Sequence, residues 1–567
     1  MSSTADLFSG LKDDSSAVSA DVMELFASGV KLDLAAGGAE CRAEVDDLVR
    51  ASVSCSAADR NPDALIVDVR SPGEFSKGHV PGAVNVPLFT DDERAKVGTA
   101  FAKQGRGVAL VLGMKAVRPK LSKIVEEILH RARAKDANCG TSPHECSSKP
   151  SVVYVHCWRG GMRSSSVTWL LLHAAPPGSL DARVVRGGYK AFRRFVLTRW
   201  ESPRSGSTLT RSSSSSSIAS TLSNNSSVLE DNANNANNGA GSSGANNVSG
   251  HLVCKEPRVC IVGGRTGVGK TAALLGLRNA GCAVIDLEGL ASHSGSAFGW
   301  VGRPPCQPTS EHFANLVAME WVRLAEQINK AETLTETDEA SPSSAWGWIF
   351  LEDEGPHVGK CSVDPGLFQR MRMAPLVVNV VAPRGTRLRT LVEDYAHDSH
   401  RSDPSWRDAM DESVGKLRKR LGNERAEALR LKLRDGDFSA VADGLLEYYD
   451  GLYDKHLGTK RVEKREKQKG FKGHERGGDG GDEKQSGENA EGDAVDLQAT
   501  PATSEKETLS PEASARAGKV VECRAKAVGH RDDGGGGKHP DSLDVDDLVG
   551  AILKTLAAFE AEETPVA

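Results

Sequence analysis

The sequence predicts an α/β protein with two parallel-sheet units, and three features of the chain support this prediction. Short apolar runs typical of buried parallel strands alternate with stretches of helical periodicity over residues 61–200. The same alternation returns over residues 254–458. Residues 201–253 between them are rich in Ser, Asn, Gly, Ala and Thr, which bury too little apolar surface to offset the entropy of an ordered chain. We therefore expect two folded domains joined by a disordered linker.

The composition fits domains that are diluted by such segments. Of 567 residues, 39% are hydrophobic, which is low against the usual share of about 45–50%. The 71 basic and 77 acidic residues give a net charge of -6, which excludes a chain that is basic throughout but allows local basic patches. The 11 cysteines are scattered and form no Cys-x-x-Cys pair, so neither a disulfide scaffold nor a structural zinc site is indicated.

The sequence predicts a soluble intracellular protein without a membrane partner. No apolar run approaches the roughly 20 residues of a membrane span. The N-terminal region has several acidic residues and no apolar signal core, which argues against an Arg-rich transit peptide. A cytoplasmic location is the expectation, with import into an organelle left open.

The first unit begins after a weakly patterned stretch. Residues 1–60 are small and polar, so we expect a poorly ordered N-terminal segment. The strands and helices that follow are predicted at Ala64–Val69, Leu121–Arg133, Ser151–Val155 and Val167–Leu172.

The second unit has the same alternation and then becomes helical. Its strands are predicted at Val259–Val262, Ala283–Leu287, Trp348–Leu351 and Leu376–Val381, with a helix at Thr271–Asn279. Residues 405–456 have a helical pattern. Residues 459–540 are rich in charge, Gly and Ser, which predicts a disordered tail, and residues 541–567 contain a short amphipathic helix.

A reactive cysteine is predicted in the first unit. Cys157 follows a predicted strand and precedes a predicted helix, whose free N–H groups and partial positive charge stabilise a thiolate. Gly160 and Gly161 allow the backbone to curl around the sulfur, while Arg159 and Arg163 add positive charge for an anionic donor. The alternative is a buried, inert cysteine, the usual state of a free cysteine. The setting favours catalysis here, whereas the other ten cysteines keep the inert interpretation.

A phosphate-binding loop is predicted in the second unit. The run Gly264–Thr271 fits G-x-x-x-x-G-K-[ST] and lies between a predicted strand and a predicted helix. Its backbone N–H groups cradle a phosphate or diphosphate, Lys270 reaches the charged oxygens and Thr271 is available to Mg²⁺. The expected binding residues are Gly264, Thr266, Gly267, Gly269, Lys270 and Thr271.

Acidic residues at two strand ends accompany this loop. Glu352, Asp353 and Glu354 resemble a Walker B position, where a carboxylate orients the metal ion or its water. Glu352 and Asp353 are the two expected binding residues among them. The alternative is a solvated acidic turn. Asp286 and Glu288 are weaker candidates. We assign no metal-ligand set and no nucleotide, since a phosphate loop alone indicates only a polyphosphate.

Two runs upstream of Cys157, Asp68–Phe75 and Gly78–Asn85, complete a recognisable pattern. Together with the cysteine loop they resemble the rhodanese (sulfurtransferase) domain, in which the corresponding cysteine holds a persulfide. The resemblance implies that three residues scaffold the loop: Asp68, Arg70 and Glu74.

A rhodanese-like domain followed by a P-loop NTPase-like parallel α/β domain with a helical C-terminal part resembles the tRNA 2-selenouridine synthase family. The resemblance covers about residues 64–456. Four further segments carry it: Asp91–Thr99, Arg186–Arg193, Asp286–His293 with Gly295–Gly299, and Leu445–Asp450 with Tyr453–Asp454.

The resemblance implies a selenotransferase that acts on tRNA. In this family, selenium replaces sulfur in wobble-position 2-thiouridine through an S-geranylated intermediate. The implied co-substrates are selenophosphate and geranyl diphosphate. The resemblance implies no firm cofactor, and the binding of ATP or Mg²⁺ at the phosphate loop is left open. A partner enzyme that supplies selenophosphate and the oligomeric state are also left open.

Two other functions remain open from the residues alone. One is a rhodanese-type sulfurtransferase that the P-loop module gates. The other is a non-catalytic nucleotide-binding scaffold, against which the presence of Cys157 argues.

The tRNA surface is predicted in the helical part, where basic residues can hold phosphates. The candidate residues are Lys416, Arg418, Lys419, Arg420, Arg425, Arg430, Lys432 and Arg434. The alternative is that these residues form a solvated helix surface, in which case Arg159, Arg193 and Arg194 are a second choice for tRNA contact.

Three features of the chain depart from the bacterial pattern of this family: the linker, an apparent insertion at Cys139–Cys146, and the tail beyond His456.

Overall fold

The computed structural model describes residues 41–56, 64–137, 150–200, 256–301, 306–335, 347–397, 403–457, 519–525 and 543–563. The expected linker at 201–253 and the apparent insertion at 139–146 lie outside the described residues. Both α/β domains belong to the same compact unit.

Five parallel strands form the sheet of the first domain, in the order β1-β5-β4-β2-β3. The strands are β1 (Arg42–Ala43), β2 (Ala64–Asp68), β3 (Val84–Asn85), β4 (Ser151–His156) and β5 (Leu180–Val185). Strand β4 is central and pairs with β2 on one side, Val155 lying opposite Val67, and with β5 on the other. The loop that carries Cys157 therefore leaves the middle of the sheet at its carboxyl edge, where α/β folds place their sites.

Helices cover both faces of this sheet, and local capping explains where several begin. Helix α3 starts after Thr90, which forms a capping box with Glu93. Pro72 opens α2, where its missing N–H costs nothing. The helices are α1 (Val45–Ser56), α2 (Pro72–Lys77), α3 (Asp91–Gln104), α4 (Arg106–Val117), α5 (Leu121–Ala137), α6 (Met162–Ala174) and α7 (Gly188–Thr198).

The prediction of a poorly ordered segment at 1–60 is wrong for residues 41–56. Strand β1 joins the sheet edge with Arg42 opposite Val184, and α1 buries Leu48 and Val49. The pairing partner lies far along the chain, and a two-residue strand has no detectable alternation. Local patterning therefore could not reveal this part of the domain.

The second domain also has a five-stranded parallel sheet, in the order β12-β11-β6-β8-β7. Its central strand β6 ends in the phosphate loop. The chain passes from β8 on one side of β6 to β11 on the other, and in α/β sheets such a switch point places a crevice at the carboxyl edge of the strands. The strands are β6 (Arg258–Gly264), β7 (Ala283–Ile285), β8 (Trp348–Glu352), β9 (His357–Val358), β10 (Cys361–Ser362), β11 (Leu376–Val381) and β12 (Lys519–Arg524), with β9 and β10 forming a separate antiparallel pair.

The helical C-terminal part follows β11, as predicted, and packs around its own apolar core. The helices of the second domain are α8 (Lys270–Asn279), α9 (Leu287–Leu290), α10 (Ser310–Thr335), α11 (Pro365–Arg372), α12 (Arg384–Tyr395), α13 (Pro404–Lys416), α14 (Arg418–Leu421), α15 (Asn423–Arg434), α16 (Phe438–Leu457) and α17 (Val545–Glu563). Among the helices that the structure describes, none is long and apolar enough to cross a membrane.

The prediction of a disordered tail at 459–540 is wrong for Lys519–Arg524. This strand pairs with β11 along its whole length, so the end of the chain completes the second sheet. Helix α17 matches the predicted amphipathic helix, and it docks on this same domain by burying Leu548, Ile552 and Leu556. The side chain of Leu543, just before α17, reaches the phosphate loop at Gly269.

One apolar core is shared by the two domains. Helix α7 of the first domain packs against α10 of the second, and the rings of Trp200 and Trp321 meet edge to face with centroids 5.1 Å apart. Phe192 and Phe313 are fully or almost fully buried in the same cluster. The two domains are therefore joined by one packed apolar cluster.

Candidate active sites

The Cys157 loop has the features of a thiolate site. Cys157 follows β4, is 3% exposed, and its Sγ lies 3.3 Å from the Ser164 hydroxyl in the first turn of α6. Burial alone would raise the pKa of the Cys157 thiol. The Ser164 hydroxyl, the Arg163 charge and the backbone N–H groups of Arg159 and Ser164 outweigh burial and hold that pKa below its ordinary value.

The backbone of the loop is packed too tightly for side chains. Gly160 has φ +61°, and a Cβ there would lie 2.1 Å from the carbonyl oxygen of Val185. A Cβ at Gly188, the first residue of α7, would lie 2.3 Å from the carbonyl oxygen of Cys157. Glycine is required at both positions, because only glycine permits this approach of two backbones.

The two predicted arginines act on the cysteine in different ways. Arg163 contributes its charge to Cys157 and also contacts Glu74, with Nη1 3.3 Å from Oε2. Arg159 is exposed and reaches the cysteine through its backbone N–H group. Behind the loop, Asp68 and Arg70 form a fully buried ion pair.

The phosphate loop lies where the sequence predicts it, between β6 and α8. Lys270 opens α8, and its Nζ donates to the Gly264 carbonyl oxygen at 2.9 Å. The Gly264 N–H donates to the hydroxyl of Tyr453. Arg387 braces the loop from α12, since its Nε donates to the Thr266 carbonyl oxygen at 2.9 Å.

Three residues around the loop have no role in its sequence motif: Tyr453, Asp450 and Arg387. Tyr453 lies in α16, and Asp450 of the same helix accepts from Arg387 Nη1 at 3.0 Å. Both belong to the Leu445–Asp454 segment, so the sequence carried a signal for them without a role. Arg387 has no such signal.

Three carboxylates converge on the first turn of α8. The oxygens of Glu288, Glu352 and Glu354 lie within 4.8 Å of one another. The Thr271 hydroxyl donates to Glu352 Oε1 at 3.2 Å and approaches Glu288 Oε2 at 3.5 Å. Carboxylate and hydroxyl oxygens of this kind suit a hard divalent cation such as Mg²⁺.

Glu352 is the member of this cluster that most needs a positive partner. It is 1% exposed, and its Oε2 has no hydrogen-bond partner within the described part of the chain. Burial, followed by the charges of Glu288 and Asp286, raises the pKa of Glu352 to about 8. Burial and the charge of Glu352 raise the pKa of Glu354 to about 7. The donor set and the unpartnered oxygen thus fit a bound cation.

The structure separates Asp353 and Asp286 from this cluster. Asp353 Oδ1 accepts from Arg372 Nη2 at 2.8 Å, so it forms an ion pair beside the site instead of facing Thr271. Asp286 caps α9 by accepting from the Gly289 N–H at 2.7 Å. Asp353 therefore lies beside the cluster, whereas Glu288, the weaker candidate from the sequence, belongs to it.

An apolar pocket adjoins the phosphate loop. Thr266 of the loop forms part of its wall, and helices of the C-terminal part supply most of the rest. Its lining residues are Thr266, Ser296, Phe298, Leu391, Val392, Tyr395, Ala396, Met410, Leu433, Phe438, Val441, Ala442, Leu445, Leu446 and Tyr449. Sequence reasoning missed this pocket, because its wall is assembled from five separate stretches of chain.

The predicted basic patch is partly neutralised. Arg425 pairs with Glu447, with 2.5 Å between Nη2 and Oε2, and Arg430 pairs with Asp411. Arg434 and Lys416 also have carboxylate partners within 4.0 Å. These residues fit the solvated-surface alternative, whereas Arg418 and Lys419 are exposed on the short helix α14.

Both domains match known families. The model described as "tRNA 2-selenouridine synthase AAA domain" matches residues 257–476, and the model described as "Rhodanese-like domain" matches residues 54–195. The first of these ranges contains the phosphate loop and the acidic cluster, and the second contains the Cys157 loop.

Curated relatives span both domains. A protein of Pseudomonas entomophila (strain L48) named tRNA 2-selenouridine synthase is 31% identical over 413 residues, which covers 69% of this chain and 86% of the relative. Proteins of the same name from Marinobacter nauticus and Hahella chejuensis are 29% and 30% identical, covering 71% of this chain and 90% and 87% of their own lengths.

Proposed function

The chain belongs to the tRNA 2-selenouridine synthase family and is a transferase that acts on tRNA, and we propose that its two loops serve two successive steps of selenium insertion. In the first step, the phosphate-loop domain geranylates the sulfur of 2-thiouridine. In the second step, the Cys157 domain delivers the selenium that replaces this sulfur.

The apolar pocket beside the phosphate loop is the observation that carries this proposal. Geranyl diphosphate has a charged diphosphate head and a branched ten-carbon chain. The phosphate loop supplies N–H groups and Lys270 for the head. The pocket, walled by Phe298, Leu391 and Leu445 among others, offers an apolar lining for the chain next to Thr266 of the loop. Each buried methylene contributes about 0.8 kcal/mol to binding.

A divalent cation is part of the proposed diphosphate site. Thr271, Glu288, Glu352 and Glu354 would hold it. When bound, such a cation neutralises charge on the diphosphate leaving group. Lys270 and the backbone N–H groups of the loop orient the same oxygens, which keeps the first carbon of the geranyl chain directed at the incoming sulfur.

The first step exchanges a carbon–oxygen bond for a carbon–sulfur bond. The sulfur at C2 of the base attacks the first geranyl carbon, diphosphate leaves with the bonding electron pair, and the base loses its N3 proton. The product is an S-geranyl thioether. An unreactive thiocarbonyl has thus become a carbon that bears a leaving group.

The second step is redox-neutral and returns that proton. A carbon–selenium bond forms at C2, the carbon–sulfur bond breaks, and geranylthiol leaves. Selenophosphate supplies the selenium and, after hydrolysis by one water molecule, remains as phosphate. We assign assistance of this delivery to Cys157, whose thiolate forms no bond to selenium, so that the selenium reaches C2 at the selenide level. Arg163 and the N-terminus of α6 favour an anionic donor there.

Expression in a bacterial host that lacks its own enzyme tests the proposal. We expect nucleoside mass spectrometry of the host tRNA to show 2-selenouridine when selenium is supplied, and geranylated 2-thiouridine when it is withheld. A tRNA that carries only unmodified 2-thiouridine under both conditions would contradict the proposed function.

A further inference from the structure

The segment Arg186–Arg193 lies against the Cys157 loop, which gives this motif a structural purpose. The Tyr189 N–H donates to the Cys157 carbonyl oxygen at 2.9 Å, and the Lys190 N–H donates to the Trp158 carbonyl oxygen at 2.9 Å. Gly188 allows this contact because it has no side chain at the point of closest approach. The start of α7 therefore holds the backbone of the cysteine loop directly.

The side chain of Tyr189 leaves the first domain and ends in the second. Its hydroxyl donates to Glu311 Oε1 at 2.7 Å and accepts from Asn315 Nδ2 at 2.9 Å, both residues lying in α10. Asn315 also donates to the His79 carbonyl oxygen at 2.9 Å. The Arg70 guanidinium lies over the Tyr189 ring, 3.8 Å from its centroid.

The hydroxyl itself is informative, because Tyr189 and Asn315 are fully buried. A phenylalanine would fill the same apolar space without needing any hydrogen bond. The geometry thus joins the backbone of the cysteine loop to α10 through one ring and two hydrogen bonds. The charged and titratable groups around this ring and the thiol are Asp68, Arg70, Glu74, His156, Arg163, Arg193 and Glu311.

The start of α10 is in turn tied to the elements beside the phosphate loop. Gln307 donates through Nε2 to the Ala291 carbonyl oxygen at 3.0 Å and to the Val358 carbonyl oxygen at 3.2 Å. Ala291 directly follows α9, the short helix that contains Glu288. Contacts are therefore continuous from the acidic cluster to the cysteine loop.

We propose that Tyr189 is a positioning residue that holds the Cys157 loop against α10 of the other domain, so that the reactivity of Cys157 depends on the contact between the domains. This inference rests on the proposed function, in which Cys157 assists the second step. It adds a role for Tyr189 and Glu311 that neither loop motif contains.

The test is the rate at which iodoacetamide alkylates Cys157 as a function of pH, followed by mass spectrometry of the Cys157 peptide in the full chain. In Tyr189→Phe we expect the apparent pKa of Cys157 to rise and the rate at pH 7 to fall three- to tenfold. The N–H donors that stabilise the thiolate are then less well aimed. Glu311→Ala should give the same change, and Glu311→Gln, which keeps an acceptor oxygen, should restore the parent profile.

Matched controls separate positioning from packing. Tyr154→Phe removes a hydroxyl from β4 of the same domain and should leave the profile unchanged. The double variant Tyr189→Phe/Glu311→Ala should be no slower than Tyr189→Phe alone, since Tyr189→Phe already removes the hydrogen bond to Glu311. Profiles of Tyr189→Phe and Glu311→Ala that match the parent would overturn the role of Tyr189 alone. A parent Cys157 that resists alkylation at every pH would overturn this inference together with the proposed role of Cys157.

Discussion

The Cys157 loop and the phosphate loop are built alike and charged oppositely. Each follows the central strand of a five-stranded parallel sheet and leads into the N-terminus of a helix. Around Cys157 the neighbours are a hydroxyl, N–H groups and Arg163, which together lower the pKa of the thiol. Around Thr271 the neighbours are three carboxylates, of which Glu352 and Glu354 have raised pKa values.

This difference shows that the strand–loop–helix unit fixes where each site lies, whereas charged and polar groups on neighbouring elements set the electrostatics of that site. A helix N-terminus favours negative charge in both loops. In the first domain this position holds Cys157, whose lowered pKa favours the thiolate. In the second domain, under the proposed function, the loop binds a diphosphate, and the surrounding carboxylates would require a cation before an anion of that charge could bind.

The largest effect is expected from adding a side chain at Gly160, which would distort the Cys157 loop and leave the phosphate loop intact. We expect Gly160→Ala to slow alkylation of Cys157 at least tenfold and to destabilise the protein. The left-handed backbone costs an alanine about 1–2 kcal/mol, and its Cβ would lie 2.1 Å from the Val185 carbonyl oxygen. Gly161→Ala is the control, because a Cβ there has no atom within 4 Å. Equal alkylation rates in the two variants would show that the loop conformation does not matter.

The acidic cluster predicts a pH dependence of stability in the absence of divalent cations. The folded protein holds a proton on Glu352 up to about pH 8, whereas the unfolded chain releases it near the ordinary value of about 4.3. The folded state therefore binds more protons between these limits, and the free energy of unfolding should fall as pH rises from about 5 to about 8. We expect Mg²⁺ to raise the melting temperature more at pH 8 than at pH 6.

Glu352→Gln should reduce the pH slope to the part that buried Glu354 contributes, and it should remove the response to Mg²⁺. Asp353→Asn is the matched control, since this neighbour pairs with Arg372 and should keep both. If the stability of the parent protein were constant between about pH 5 and pH 8 and unaffected by Mg²⁺, the acidic cluster beside the phosphate loop would not have these raised pKa values.

The smallest expected effect concerns tRNA affinity. Reversing the exposed charges in Arg418→Glu/Lys419→Glu should weaken tRNA binding several-fold. It should also reduce the slope of log K against log salt by about 1–2, as expected for one or two lost phosphate contacts. Lys416→Glu should do less, because this lysine already lies 2.8 Å from Glu412. Unchanged binding and slope in the double variant would remove α14 from the tRNA surface.

The two loops could be predicted from sequence because their determinants are contiguous. The backbone conformation of each loop is determined by a run of nine residues or fewer, namely Gly264–Thr271 and the residues that follow Cys157. The neighbours that tune them come from distant elements, and only those in recognised segments left a trace. Tyr453 and Glu288 lay in such segments, whereas Arg387 did not.

The alternation of side chains explains why Asp353 lies apart from its two neighbours. Successive side chains of an extended strand point to opposite sides, so Glu352 and Glu354 share a side that Asp353 does not. The structure follows this alternation. The edge strands β1 and β12 are different, because their pairing partners lie far away in sequence and their own patterns are weak.

The measurement that tests the central claim most directly is the tRNA product of two single variants expressed in a host without its own enzyme. We predict that Cys157→Ala accumulates geranylated 2-thiouridine and makes no 2-selenouridine, whereas Lys270→Ala makes neither. Cys282→Ala, which changes a cysteine outside both loops, should match the parent. Unchanged 2-selenouridine with Cys157→Ala, or retained geranylation with Lys270→Ala, would contradict the assignment of the two steps to the two loops.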